Sequence, residues 1–143
     1  MKIAIGSDHA GFETKEKIKN YFADEYIIID YGTYSLDSVD YPIFGHKVAK
    51  AVSNQKTTFG IVICGSGIGI SIAANKVRNI RAALCTSPEH AEMSRKHNDA
   101  NILALGARMT SFENIISILE RWLETSFDGG RHQNRINQIE INE

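Results

Sequence analysis

The chain has 143 residues, 43% of them apolar, enough for one domain with a substantial core. Lys and Arg total 16 against 17 Asp and Glu, a formal charge of −1, so no broad field attracts nucleic acid or an anionic membrane. No apolar run reaches the roughly 20 residues that span a bilayer, Lys2 leads into Ile3-Ala4-Ile5 without a signal-peptide pattern, and Cys64 and Cys85 suit a reducing compartment, so a cytoplasmic protein without a membrane partner is expected.

Short apolar runs alternate with longer amphipathic stretches, the pattern of a βα repeat. Ile3 to Gly6 reads as the first strand, and residues 11–23 as a helix turning Ile18, Tyr21 and Phe22 inward. Tyr26 to Asp30 is the second strand. Tyr41-Pro42 starts the next helix, because proline is tolerated in a first turn, and Phe44, Val48, Ala51 and Val52 form its apolar stripe. The run beginning at Phe59 leads into a central strand, Ile61 to Cys64; Ser66 to Asn75 is helix-compatible, and Ile80 to Cys85 is another strand. Ser87-Pro88 opens a capped helix reaching about His97, and Asn101 to Leu105 is the fifth strand. Thr110 or Ser111 caps a helix with the stripe Phe112, Ile115, Ile116, Leu119, Trp122 and Leu123. Residues 126–143 form a loop and a polar tail or short helix, with Ile136 and Ile139 on one side, suited to packing on a partner subunit. Continuous apolar strands linked by helices imply a parallel sheet covered on both faces, hence one three-layer α/β/α domain over residues 1–143, its strand order undetermined on these grounds.

Cys64 ends the central strand and opens the turn Gly65-Ser66-Gly67-Ile68-Gly69. Glycines let a ligand approach the main chain, and a helix start there leaves N–H groups facing the crevice, so the turn can cradle an anion and favour a thiolate at Cys64. Such a thiolate suits attack or proton transfer, with the turn as oxyanion site and Ser66 adding a hydroxyl. The alternative is a buried structural thiol, the role expected of Cys85. A dinucleotide fingerprint fits poorly, since the turn follows the third strand and no acidic residue stands about 20 positions on; a Walker loop lacks its Lys, and a low-molecular-weight phosphatase its Arg. There is no zinc-ligand spacing. Asp8-His9 follows the first strand, whereas His97 and Asn98 precede the fifth, the wrong end for the same crevice, which suggests a site shared between subunits. Asp8 could simply cap the first helix, and His97 could simply face solvent at a helix end. Arg131 and Arg135 are four apart, on one helical face, and can converge on a phosphate, with Arg108 positioned to join them. His46, His90 and His132 read as surface or interface residues.

Several motifs in order give a likeness over nearly the full length: Gly6-Ser7-Asp8-His9-Ala10-Gly11-Phe12, Asp40-Tyr41-Pro42, Ile63-Cys64 through Asn75-Lys76, Ser94-Arg95-Lys96-His97-Asn98-Asp99 and Gly129-Gly130-Arg131-His132. In these the chain resembles the type B ribose-5-phosphate isomerases, within a wider family that includes galactose-6-phosphate isomerase subunits. The resemblance implies interconversion of ribose 5-phosphate and ribulose 5-phosphate with no metal or organic cofactor. It implies that Cys64 is the base between C2 and C1, that Gly65, Ser66, Gly67 and Gly69 hold the enediolate oxygen, and that His97 opens the furanose ring with Asp8 assisting. Asn98 and Tyr41 would contact the sugar, and His9, Arg108, Arg131 and Arg135 the phosphate. It further implies strand order 2-1-3-5-4 and a homodimer, possibly paired into a tetramer, in which His97, Asn98 and Arg108 come from the other subunit. The nearest alternative is an isomerase of allose or galactose 6-phosphate, with the same base and a longer pocket; a non-enzymatic phosphate-binding module leaves the gathering of Cys64, Asp8, His97 and the arginines unexplained.

Overall fold

The computed structural model describes residues 1–142. Five parallel strands, β1 (Lys2–Ser7), β2 (Ile27–Asp30), β3 (Phe59–Cys64), β4 (Ala82–Leu84) and β5 (Ile102–Gly106), form one sheet in the order β2-β1-β3-β5-β4. Helices α1 (Phe12–Tyr21), α2 (Tyr41–Ser53), α3 (Ile68–Asn75), α4 (Pro88–Asn98) and α5 (Phe112–Glu124) cover it, and a short α6 (Arg131–Ile136) follows. This is the expected three-layer α/β/α fold, with the strand order that the resemblance implied. Among the described residues no helix is long and apolar enough to cross a membrane.

Alternation along the central strands builds both outer layers. Ile61, Ile63, Leu103 and Leu105 share a core with Ile18, Phe22, Ala91, Ile115, Ile118 and Trp122, from the side of α1, α4 and α5. Val62, Cys64, Ile102 and Ala104 face the other way, onto Val48, Val52, Ile70 and Ala74 of α2 and α3. Because both faces are covered, neither alternate set is polar, and the strands read as unbroken apolar runs. Pro88 occupies the first turn of α4, where Ser87 Oγ accepts the His90 N–H at 3.1 Å. Ser111 rather than Thr110 caps α5, its Oγ accepting the Asn114 N–H at 3.2 Å.

Four details depart from the sequence pattern. Tyr21 is 49% exposed, because its hydroxyl donates to Glu120 at 2.7 Å on the surface, while Ile18 and Phe22 fill the core. On α5 the fully buried set is Ile115, Ile118, Leu119 and Trp122, so Ile118 takes a place expected of Ile116 and Leu123, which are only partly buried. The fourth strand shortens to three residues, since the Arg81 amide is taken by Asn101 Oδ1 at 2.8 Å rather than by the ladder. Helix α6 ends at Ile136, which is buried; Ile139 lies beyond it and is 50% exposed.

Candidate active site

The sheet reverses direction of growth at the boundary between β1 and β3, and open α/β sheets bind ligands in the crevice outside the carboxyl ends of such a pair. The register pairs Ser7 with Ile63 and Cys64 with Gly106, so one step further Asp8 comes beside Cys64. The Asp8 amide extends this ladder by donating to the Ile63 carbonyl at 3.2 Å. Its buried carboxylate accepts the Gly11 N–H at 3.1 Å, capping the short turn His9–Gly11 that leads into α1. Asp8 therefore fills the capping role and still lies at the crevice.

Gly67 shapes the turn after β3. Its φ of +79° belongs to the left-handed region, and an added Cβ would lie 2.6 Å from Leu84 Cδ1. In that conformation its N–H points back and donates to Cys64 Sγ at 3.2 Å. Ser66 Oγ accepts the Ile68 N–H at 3.1 Å, which leaves its own O–H to donate into the crevice. Gly69 is required for close approach: a Cβ there would come 2.6 Å from Cζ of Tyr41, whose ring lies over the turn. The His9 ring accepts the Val39 N–H on Nδ1 at 3.1 Å, so the neutral imidazole carries its proton on Nε2 as a donor. Both thiols are buried, Cys64 at 4% exposure and Cys85 at 2%, and Cys85 has no glycine turn beside it. Burial pushes its thiol up to about 11, only partly opposed by Ser94, and it stays protonated at neutral pH.

Within one chain Arg108 lies beside this group, apart from His97 and Asn98, with which it was expected to act from another subunit. Its amide donates to the Gly65 carbonyl at 2.9 Å, and its guanidinium lies over Gly65, 3.6 Å from where a Cβ would stand. The reason is topological: Arg108 follows the carboxyl end of β5, whereas His97 and Asn98 precede its amino end. At that opposite edge the Asn98 carbonyl accepts from Arg81 Nε at 2.9 Å, just before β4. Arg131 and Arg135 lie there too, on α6, so Arg108 does not join them within one chain. Cys64, Asp8, Ser66, His9, Tyr41 and Arg108 thus gather at the carboxyl edge, and His97, Asn98, Arg131 and Arg135 at the amino edge. A cleft of about 410 Å³, lined by Asn75, Arg81, Asn98 and Ile139 among others, also opens at the amino edge.

His132 is the residue that sequence reasoning left without a task. Its ring stacks on His97, with centroids 4.4 Å apart and planes at 14°. Ligating atoms of His97, Asp128 and His132 lie within 4.8 Å of one another, but parallel rings direct their lone pairs side by side, which makes a stack rather than a chelate. The one available signal was its position next to Arg131. The Val39 amide that orients His9 had no signal at all, because it acts through its main chain.

A family model described as Ribose/Galactose Isomerase matches residues 3–139. Ribose-5-phosphate isomerase B of Escherichia coli K12 is 45% identical over 139 residues, 96% of this chain and 93% of that protein. Among solved structures, the ribose-5-phosphate isomerase B of Clostridium thermocellum superposes with a TM-score of 0.96 at 54% identity, covering 97% of this chain and 95% of that one. The Mycoplasma genitalium ribose-5-phosphate isomerase B, solved with bound ribulose-5-phosphate, superposes with a TM-score of 0.91 at 39% identity, covering 96% and 93%. With the model spanning almost all of the chain, the protein belongs to the ribose/galactose isomerase family.

Proposed function

We propose that this enzyme interconverts ribose 5-phosphate and ribulose 5-phosphate through an enediolate, in active sites shared between two copies of the chain. The observation that carries the reading is the Gly67 N–H donated to Cys64 Sγ at the switch point of the sheet, with Asp8 alongside. A thiolate there takes the proton from C2 of the open-chain aldose and returns it to C1, while the hydroxyl proton of O2 passes to O1, leaving the ketone at C2 and a hydroxyl at C1. Negative charge that develops on the enediolate oxygen meets donors of the Gly65–Gly69 turn and the Ser66 hydroxyl, which are already oriented and need no reorganisation. Asp8 and Tyr41 order the sugar hydroxyls, and His9 Nε2–H and Arg108 bind phosphate. Sulfur and main-chain amides supply base and oxyanion stabilisation, so the reaction uses only groups of the polypeptide.

The amino-edge residues complete the site from a second copy. Ile68 and Ile72, one turn apart on α3 beside the Cys64 turn, are 54% and 56% exposed, an apolar pair suited to burial against another chain. In the proposed dimer His97 of the partner subunit opens the furanose ring, Asn98 of the partner subunit holds the sugar, and Arg131 and Arg135 of the partner subunit close on the phosphate. Two such dimers could associate further without changing this chemistry.

The test is turnover of ribose 5-phosphate with exchange of solvent deuterium at C2. Cys64→Ala is expected to lower turnover by about 10²–10⁴-fold while leaving affinity for a phosphate ligand nearly intact. Turnover near wild type in that variant would overturn the role of the sulfur. A parallel assay with allose 6-phosphate tests the five-carbon preference, which fails if the hexose is turned over faster.

A further inference from the structure

We infer that His132 is a positioning residue for ring opening: its imidazole, stacked face to face on His97, holds the plane of that ring. The inference deepens the proposed isomerase reading and rests on it. Three observations build the contact from independent parts of the fold. The Asp128 amide donates to the Lys96 carbonyl at 3.1 Å, which ties the loop before α6 to the last turn of α4. The His132 amide then donates to the Gly129 carbonyl at 3.2 Å, starting α6 immediately after the two glycines. Ile136, one turn on, is buried and anchors the helix. His132 is thereby set against His97 at 4.4 Å and 14°, a separation at the close limit of offset-stacked aromatic pairs.

The charges around the pair decide its use. His132 is held below the ordinary imidazole value by burial first, then by His97, Arg131 and Arg135, with Asp128 opposing. A neutral ring at stacking distance presents an electron-rich face to the charge that His97 acquires in acid–base transfer. A protonated one would repel it. The stack thus covers one face of the His97 ring while leaving its edge open to the sugar oxygens. Nothing in this arrangement touches the C1–C2 proton transfer, which occurs at Cys64.

That separation makes the inference testable. Ribose 5-phosphate is mostly a furanose and needs ring opening, whereas ribulose 5-phosphate cannot close through its phosphorylated O5 and enters the reaction open. His132→Ala is expected to lower turnover of ribose 5-phosphate by about 10-fold, with KM little changed, and to leave deuterium exchange into ribulose 5-phosphate within about 2-fold of wild type. His132→Phe, which restores a stacked ring without a titratable nitrogen, should recover most of the lost turnover. Equal loss in both directions for His132→Ala, no loss in either, or failure of the Phe variant to recover turnover would each overturn the positioning role. Absence of any exchange in the wild-type protein would instead remove the isomerase reading on which it stands.

Discussion

Lys15 sits fully buried on α1, where an unpaired ammonium would be costly, and its partners explain why it is tolerated. Its Nζ binds Asp30 at the end of β2 and lies 5.3 Å from the Phe12 ring centroid and 5.5 Å from that of Tyr34. Burial pushes the Asp30 carboxyl up, yet hydrogen bonds from Lys15, Lys19 and the Gly32 amide outweigh it and hold the group below its ordinary value of 3.8. A carboxyl depressed in the folded state contributes stability above its unfolded value, and that contribution is lost as pH falls from 3.8 through the lower folded value. Asp30→Asn leaves the buried ammonium with only the more exposed Glu16, at 3.2 Å, as counter-ion and should cost about 3 kcal/mol at neutral pH. The same variant should also flatten the acid limb of stability, measured as urea midpoint against pH; an unchanged midpoint at neutral pH would show that the pair contributes nothing net.

Among the elements, β4 is one of the two edge strands of the sheet, with β2 at the other side. It has three residues, pairs only with β5, and would otherwise present open N–H and C=O groups to another chain. Asn75, the last residue of α3, covers it with one side-chain amide: Oδ1 accepts the Ala82 N–H at 2.8 Å and Nδ2 donates to the Ala82 carbonyl at 3.0 Å. The side chain imitates a neighbouring strand for one residue and stops the sheet there. Asn75→Ala should lower stability by about 1–2 kcal/mol and increase concentration-dependent aggregation. Denaturant unfolding and light scattering check the two effects separately. Helix α3 joins this role to another, since its first turn supplies the amides beside Cys64 and its outer face carries Ile68 and Ile72.

The length of the strands holds the reactive groups apart on two opposite edges of the sheet, and the proposed sharing of sites answers that separation. A β-strand of five residues separates Arg108 from the helix end that bears His97 and Asn98, so no side chain of one copy spans from Cys64 to His97. Mixing Cys64→Ala and His97→Ala subunits after dissociation should restore about a quarter of wild-type turnover, because half of randomly formed dimers are mixed and each then holds one intact site. Activity that stays at the level of the separate variants would refute shared sites. Much of this was readable beforehand, for physical reasons. Period and caps depend on local chain chemistry, so the βα repeat, the Ser87 cap and the turn after Cys64 could be read from neighbouring residues. The glycines around Cys64 likewise announced an anion-binding turn, because glycine adopts a φ such as that of Gly67 without the strain it costs other residues. Long-range geometry is set by which strands lie side by side, and that was not written in any local pattern. It took the folded chain to put Arg108 over Gly65, to give His9 its Val39 partner and to lay His132 against His97, since each contact joins residues from separate elements whose meeting depends on the packing of the whole sheet.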